Sequence, residues 1–329
     1  MASVVTEIGQ SGSIIQRLIM KNSILLASHD DQFTAELKAE FVSRRPEISV
    51  FLLGEEGVDQ ADVAACWYPQ ADLLTHYPHI KCLHSVAAGV DHLGQNLLNS
   101  GLPVCRIVDN HQKQGMLEYV LWGVLNRHRN FDKIRDNQTA AIWHRYPQQA
   151  ASELQVSVLG LGELGKFVAQ GLAEFGYQIS GWSRSSKSLT NVHCYSGLEG
   201  LNTVLNRTDI LINLLPLSAE TQGILNQDLF NAMPAGGYLI NCGRGGHLVT
   251  EDLVTALDSG QLRGALLDVF DTEPLPKTEA LWQQKGVIVT PHVASDVSLS
   301  TIIDQVADNV LSFSKGDTLT NAINIDKGY

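Results

Sequence analysis

An α/β protein with two doubly wound parallel-sheet domains is predicted from three observations on the sequence. The chain has 329 residues, more than one hydrophobic core usually serves. Short unbroken apolar runs, the mark of strands buried on both faces, recur along it. Mixed stretches long enough for crossover helices separate them, and that alternation builds parallel sheets.

In the first part of the chain the runs fall at residues 24–27, 50–53, 63–67 and 104–107. Later ones fall at 156–159, 210–213, 238–241, 264–267 and 287–290, and residues 178–182 read as the strand that follows the first of these. Residues 117–135 read as one long helix, because Leu117, Val120, Leu121, Val124, Leu125 and Phe131 recur mostly at helical spacing. A polar stretch at 147–152 then precedes a new strand. Crossovers near 117 and 296 therefore divide the chain. One domain takes residues 20–116 plus 297–329, and the other takes 117–296. Residues 1–19 contain one basic residue, Arg17, and no long apolar stretch. They read as an extension outside the fold and not as a secretory signal.

The composition is 44% hydrophobic and 18% charged, ordinary for a folded globular chain. A formal net charge of −12 argues against nucleic acid or an anionic membrane surface as partner. It leaves room for a small anionic substrate held by local positive charge. The cysteines, Cys66, Cys82, Cys105, Cys194 and Cys242, are odd in number and widely spaced. No metal site is expected from them, and a reduced, cytoplasmic setting fits best. No apolar run approaches the roughly 18 residues needed to span a bilayer.

Gly160-Leu161-Gly162-Glu163-Leu164-Gly165 has GxGxxG spacing, a weak signal by itself. Its context strengthens it, since the 156–159 run leads in and an amphipathic helix over 166–175 leads out. Gly160 permits the tight turn, Gly162 lets backbone approach a pyrophosphate, and Gly165 allows close helix–strand packing. The free N–H groups and dipole at the helix start would then hold the phosphates, and Glu163 and Leu164 of the loop are counted among the cofactor-binding candidates. The competing interpretation is a purely structural turn.

About 20 residues on, an NAD site usually carries Asp or Glu for the ribose hydroxyls. Here Ser183 stands there, followed by Arg184, Ser185 and Lys187. A carboxylate would repel a 2′-phosphate, whereas these groups would bind it. NADPH is therefore expected over NADH, against the alternative of a solvated basic loop.

Residues 241–246, 268–274 and 290–294 each follow an apolar run, where open α/β sheets bind ligands. Reduction of a 2-oxo acid needs a grip on the carboxylate and a proton for the ketone oxygen. Arg244 suits the first with its planar fork. His292 suits the second, because imidazole titrates near neutrality. Glu273 can fix the tautomer of His292 and stabilise its protonated form. Each residue alone has a plainer reading: a surface ion pair, a structural histidine, a solvated turn.

Taken together, these blocks resemble one family. They are residues 158–165, Leu214-Leu215-Pro216-Leu217-Ser218-Ala219-Glu220-Thr221, Gly243-Arg244-Gly245-Gly246, Asp268-Val269-Phe270-Asp271-Thr272-Glu273-Pro274 and Thr290-Pro291-His292-Val293-Ala294. In order and spacing they resemble the D-isomer-specific 2-hydroxyacid dehydrogenase family, from about residue 22 onward. Within it, residues 182–188, Ala87-Ala88-Gly89-Val90-Asp91, 213–216 and Lys327-Gly328-Tyr329 are most similar to the glyoxylate/hydroxypyruvate reductase A group.

The resemblance implies two Rossmann-like or flavodoxin-like domains with a cleft between them, residues 117–296 binding the dinucleotide and the remainder the substrate. It implies NADPH-dependent reduction of glyoxylate and hydroxypyruvate, with Arg244, Glu273 and His292 as the catalytic set. Backbone at Ala88 and Gly89 would donate to the substrate carboxylate, joined by Arg244 and by Trp67. Leu214, Pro216, Thr221, Cys242 and Gly243 would line the cofactor site, and Asp268 would meet the nicotinamide end. Cys242 is expected as a packing thiol. Trp67, Tyr68 and Trp143 would either shape a small pocket, Trp143 reaching across a homodimer formed by the 117–135 helix and the segment after it, or serve as core or interface aromatics. One departure, Ser295-Asp296-Val297-Ser298, replaces a more apolar, proline-containing stretch and bears on substrate preference. The alternatives are another enzyme of the family or a non-catalytic dinucleotide-sensing protein. Formate dehydrogenases, which share the fold, use glutamine where Glu273 stands. Longer phosphoglycerate dehydrogenases carry an added regulatory domain not expected here.

Overall fold

The computed structural model describes residues 22–323; the proposed extension at 1–19 and the motif at 327–329 lie outside them. The described residues form two compact units, 22–108 with 297–323, and 109–296.

The first unit is a five-stranded parallel sheet in the order β2-β1-β3-β4-β5, with β1 Ser23–Ser28, β2 Ser49–Leu52, β3 Val63–Trp67, β4 Cys82–Ser85 and β5 Val104–Cys105. This is the flavodoxin-like order. Successive residues of β1 serve opposite faces: Ile24 and Leu26 join one apolar cluster, Leu25 and Ala27 the other. That is why the strand reads as an unbroken apolar run. The Asp31–Arg44 helix starts where Asp30 accepts from Phe33 N at 2.9 Å. The Leu299–Lys315 helix buries Ile302, Ile303, Val306 and Val310 against the same core.

No apolar run marks β4, because it carries His84 and Ser85. Both are fully buried, and tertiary partners satisfy them. His84 Nδ1 lies 2.7 Å from Ser85 O, and its Nε2 lies 3.0 Å from Asn309 Nδ2. Burial pushes the imidazole down to about 4, so it stays neutral. The 104–107 run yields a strand of only two residues.

The second unit is a seven-stranded parallel sheet in the order β12-β11-β10-β9-β6-β7-β8. Its strands are β6 Gln155–Leu159, β7 Gln178–Ser183, β8 His193–Ser196, β9 Ile210–Asn213, β10 Gly237–Asn241, β11 Leu262–Leu267 and β12 Val287–Val289. β8 is an edge strand, exposed at His193 and Ser196, so no apolar run announced it. Strand order reverses at β6, which pairs with β7 on one side and β9 on the other. A doubly wound sheet binds its ligand outside such a switch point.

The long helix expected at 117–135 is corrected by the structure. It is two helices, Asn110–His128 and Phe131–Thr139, separated by Asn130 at φ 55. A left-handed residue cannot continue an α-helix. The first helix also begins earlier, where Asp109 accepts from His111 N at 2.9 Å. The division between units accordingly falls after Val108 rather than after residue 116. From Val297 the chain returns to the first unit. Met116, Val120 and Val124 of this helix are buried with Val156, Ile212 and Ile240 of the sheet, each such side chain contributing about 1.5–3 kcal/mol.

Candidate active site

The glycine loop sits between β6 and the Glu163–Glu174 helix, which starts three residues earlier than the 166–175 expectation. Gly160 has φ +95, and a Cβ there would lie 2.6 Å from Leu214 O. A Cβ on Gly165 would lie 1.7 Å from Gly160 O, whereas one on Gly162 would meet nothing within 4 Å. Two glycines are thus demanded by packing, and the third leaves open space beside a helix N-terminus. That arrangement fits a pyrophosphate. Replacing Gly165 by Ala forces helix and turn apart. The expected result is a loss of about 1–3 kcal/mol of stability by denaturant melt, with weaker dinucleotide binding.

Glu163 behaves as a brace. It lies 2.8 Å from Lys113 and 2.5 Å from Lys166. Burial opposes its charge, but the two ammonium groups prevail and hold its carboxyl down at about 2. Leu164, expected beside the cofactor, packs partly buried against the apolar core. Leu214 N donates to Leu159 O at 2.8 Å, which lays residues 214–216 beside the glycine loop. Thr221 Oγ1 donates to Pro216 O at 2.7 Å and accepts from Ser218 N at 2.8 Å, closing that turn on itself.

At the end of β7, Ser183 is buried and donates to Ser185 O at 2.8 Å. The neighbouring Arg184 guanidinium lies 3.6 Å from Glu220 Oε2, both side chains being half or more exposed. Such an exposed pair is worth little and yields readily to a phosphate.

The next two strands deliver Arg244. β9 and β10 end in Asn213 and Asn241, register partners, and Asn213 Nδ2 donates to Asn241 Oδ1 at 2.9 Å. His247 Nδ1 lies 2.9 Å from Asn213 Nδ2 and accepts from Arg244 N at 3.0 Å. Asn213, Asn241 and His247 are fully buried, so this network fixes the loop that carries the guanidinium. A Cβ on Gly243 would lie 2.6 Å from Asn213 Nδ2. Sequence reasoning missed this support; its available signal was an asparagine ending each of two apolar runs. Cys242 is buried beneath the loop. Burial, then the charge of Asp268, pushes its thiol well up, as a packing thiol requires.

β11 and β12 deliver the remaining pair. Glu273 Oε2 lies 2.8 Å from His292 Nδ1, and its Oε1 accepts from Phe270 N at 2.9 Å. The hydrogen bond to Glu273 raises the His292 pKa above its ordinary value, against burial and the Arg244 charge. Burial works against the Glu273 charge, but His292, Phe270 N and Arg244 together hold that carboxyl below its ordinary range. The guanidinium therefore acts electrostatically on both members of the pair. Asp268 is buried and accepts from Val293 N and Ala294 N, each at 2.9 Å. It thus braces the histidine loop.

Residues assigned to the substrate from the first unit lie at the carboxyl ends of β3 and β4. Ser85 Oγ donates to Gly89 O at 2.7 Å, and Arg106 donates to Ala88 O at 3.3 Å. The Trp67 ring lies 4.8 Å from Tyr68 and 4.9 Å from His92. Trp143, in the second unit, is 96% exposed. Among the described residues, no helix is long and apolar enough to cross a membrane.

Residues 121–294 match the family model described as D-isomer specific 2-hydroxyacid dehydrogenase, NAD binding domain. Glyoxylate/hydroxypyruvate reductase A of Salmonella paratyphi B is 37% identical over 275 residues, 82% of this chain and 88% of that protein. A D-isomer specific 2-hydroxyacid dehydrogenase family protein from Klebsiella pneumoniae 342 superposes with TM-score 0.87 at 42% identity, over 92% of this chain and 97% of that one. The NADPH-dependent glyoxylate/hydroxypyruvate reductase of Sinorhizobium meliloti, solved with NADP and sulfate, gives TM-score 0.85 at 31% identity, over 93% and 99%. Shared fold, matched dinucleotide segment and relatedness along most of its length make this chain a member of the D-isomer specific 2-hydroxyacid dehydrogenase family of oxidoreductases.

Proposed function

We propose that this protein reduces small 2-oxo acids, glyoxylate to glycolate and hydroxypyruvate to glycerate, with NADPH as preferred cofactor. The observation that carries this reading is the Glu273–His292 pair at 2.8 Å, set in the field of Arg244 within the dinucleotide-binding unit. When bound, the nicotinamide supplies the hydride. With Nδ1 turned to Glu273, His292 presents Nε2 as proton donor to the ketone oxygen as that oxygen gains charge. Arg244 grips the substrate carboxylate and offsets its charge. Backbone at Ala88 and Gly89, with Trp67, contributes to substrate binding.

Gly160, Gly162, Gly165 and the N–H groups at Glu163 and Leu164 would hold the pyrophosphate. Leu214, Pro216, Thr221, Cys242 and Gly243 would line the cofactor cleft, with Asp268 toward the nicotinamide. Ser183, Arg184, Ser185 and Lys187 would take the 2′-phosphate. The names of two relatives, the Salmonella reductase and the NADPH-dependent Sinorhizobium reductase, agree with this reading. The deciding assay follows NADPH oxidation with glyoxylate and with hydroxypyruvate; tight NADPH binding without turnover of either acid would instead indicate a dinucleotide sensor.

Cofactor choice has its own test. Arg184→Ala should raise KM for NADPH on the order of tenfold, the worth of one charge-assisted contact, and leave KM for NADH within twofold or so. Equal loss with both cofactors would remove the 2′-phosphate role. A homodimer in a reducing, cytoplasmic setting completes the proposal. The free thiols of all the cysteines and the exposed Phe131, Ile134, Ile142 and Trp143 support it.

A further inference from the structure

The proton donor assigned above stands on an unusual backbone. His292 has φ 54, a left-handed conformation that persists in a non-glycine residue only where surroundings impose it. Its own N–H reaches Asp268 O at 2.9 Å and Thr290 O at 3.1 Å. The residues on either side of it converge on one carboxylate. Thr290 Oγ1 lies 2.7 Å from Asp268 Oδ1, Val293 N donates to the same oxygen, and Ala294 N donates to Oδ2. Behind Thr290 stands Tyr119 of the Asn110–His128 helix, its hydroxyl 2.5 Å from Thr290 Oγ1.

We propose that Tyr119 and Thr290 are positioning residues for His292, acting through a directed hydrogen-bond chain that ends on Asp268. The direction follows from donor chemistry. The Asp268 carboxylate accepts, so the Thr290 hydroxyl spends its one proton there. Its approach to Leu267 O is longer, at 3.4 Å. Thr290 Oγ1 must then accept from Tyr119, whose phenol is the donor at the head of the chain. Burial raises the Tyr119 phenol pKa, so it keeps that proton. Each side chain has one arrangement open to it, and the loop flanking the imidazole inherits that constraint.

No motif in the sequence marks Tyr119, which stands among the apolar residues of the 117–135 segment. The inference rests on His292 as proton donor, so its test includes a readout that needs no turnover. The groups facing His292 are Glu273, Arg244 and Asp268, and those facing Tyr119 are Thr290, Cys242, Asp268 and Tyr238. Tyr119→Phe and Thr290→Val change none of these charges. A shift in the imidazole titration therefore reports lost registration against Glu273.

By NMR titration of the unliganded enzyme, both variants should lower the His292 pKa toward its ordinary value. Thr290→Ser, which keeps the hydroxyl, should restore it. In turnover with glyoxylate, kcat should fall about fivefold in Tyr119→Phe and about tenfold in Thr290→Val, in line with one neutral hydrogen bond. KM for NADPH should hold within about twofold. The double variant should cost no more than Thr290→Val alone. An unmoved imidazole titration and unchanged kcat in Thr290→Val, even with a lowered Tm, would overturn the proposal. If wild-type enzyme turns over neither acid, the reductase reading falls, while the titration still decides whether this chain positions His292.

Discussion

Changing His292 to Gln should lower kcat/KM for glyoxylate by about 10²- to 10⁴-fold, the usual worth of the positioned general acid proposed for it. Glutamine can still hydrogen-bond but has no proton to give at neutral pH. NADPH affinity, measured by fluorescence titration, should stay within about twofold. A loss below tenfold would mean that another group or solvent supplies the proton. The pH profile gives the same residue a sign. In the proposed mechanism reduction needs the imidazolium, and Glu273 raises the His292 pKa above its reference of about 6.5. Activity is therefore full below that raised pKa and is lost as pH rises through it. Changing Glu273 to Gln removes both the charge and the acceptor. The alkaline limb of kcat/KM should then move to lower pH. A limb that stays in place would assign the titration to another group.

Changing Arg244 to Ala should cost about 10²- to 10³-fold in kcat/KM, the scale for removing one charged donor aimed at the reacting group. The part of the grip that is equal in ground and transition states should be lost in KM, and the part that tightens as the ketone oxygen gains charge should be lost in kcat. The variant should also raise the His292 pKa further, since Arg244 opposes the imidazolium charge. That moves the alkaline limb upward, opposite to the Glu273 change. Arg244→Lys keeps the charge but loses the planar fork, so it should recover only part of the loss. Full recovery by lysine would show that charge alone suffices.

Oppositely signed pH shifts distinguish these two variants from nonspecific damage. A merely unfolded or loosened site would lower activity without moving the limbs apart. The buried Asn213–His247 support argues that Arg244→Ala leaves the loop in place, since Arg244 enters that network through its backbone N–H.

The sequence by itself determined the α/β class, most of the strands, the glycine loop and the identity of the Arg244, Glu273 and His292 candidates. Unbroken apolar runs and short spaced motifs are local properties, and strands buried on both faces display them openly. Tertiary structure alone decided what depends on burial and on partners far along the chain. His84 and Ser85 could join a strand because Asn309 and nearby backbone satisfy them. The helix break at Asn130 came from one left-handed residue that helical spacing cannot reveal. Glu163 became a brace between Lys113 and Lys166. Tyr119 acquired a polar task only because folding set its hydroxyl against Thr290, 171 residues away. Hydrogen bonds are short and directional, so which distant groups meet is a property of packing that no window of sequence contains.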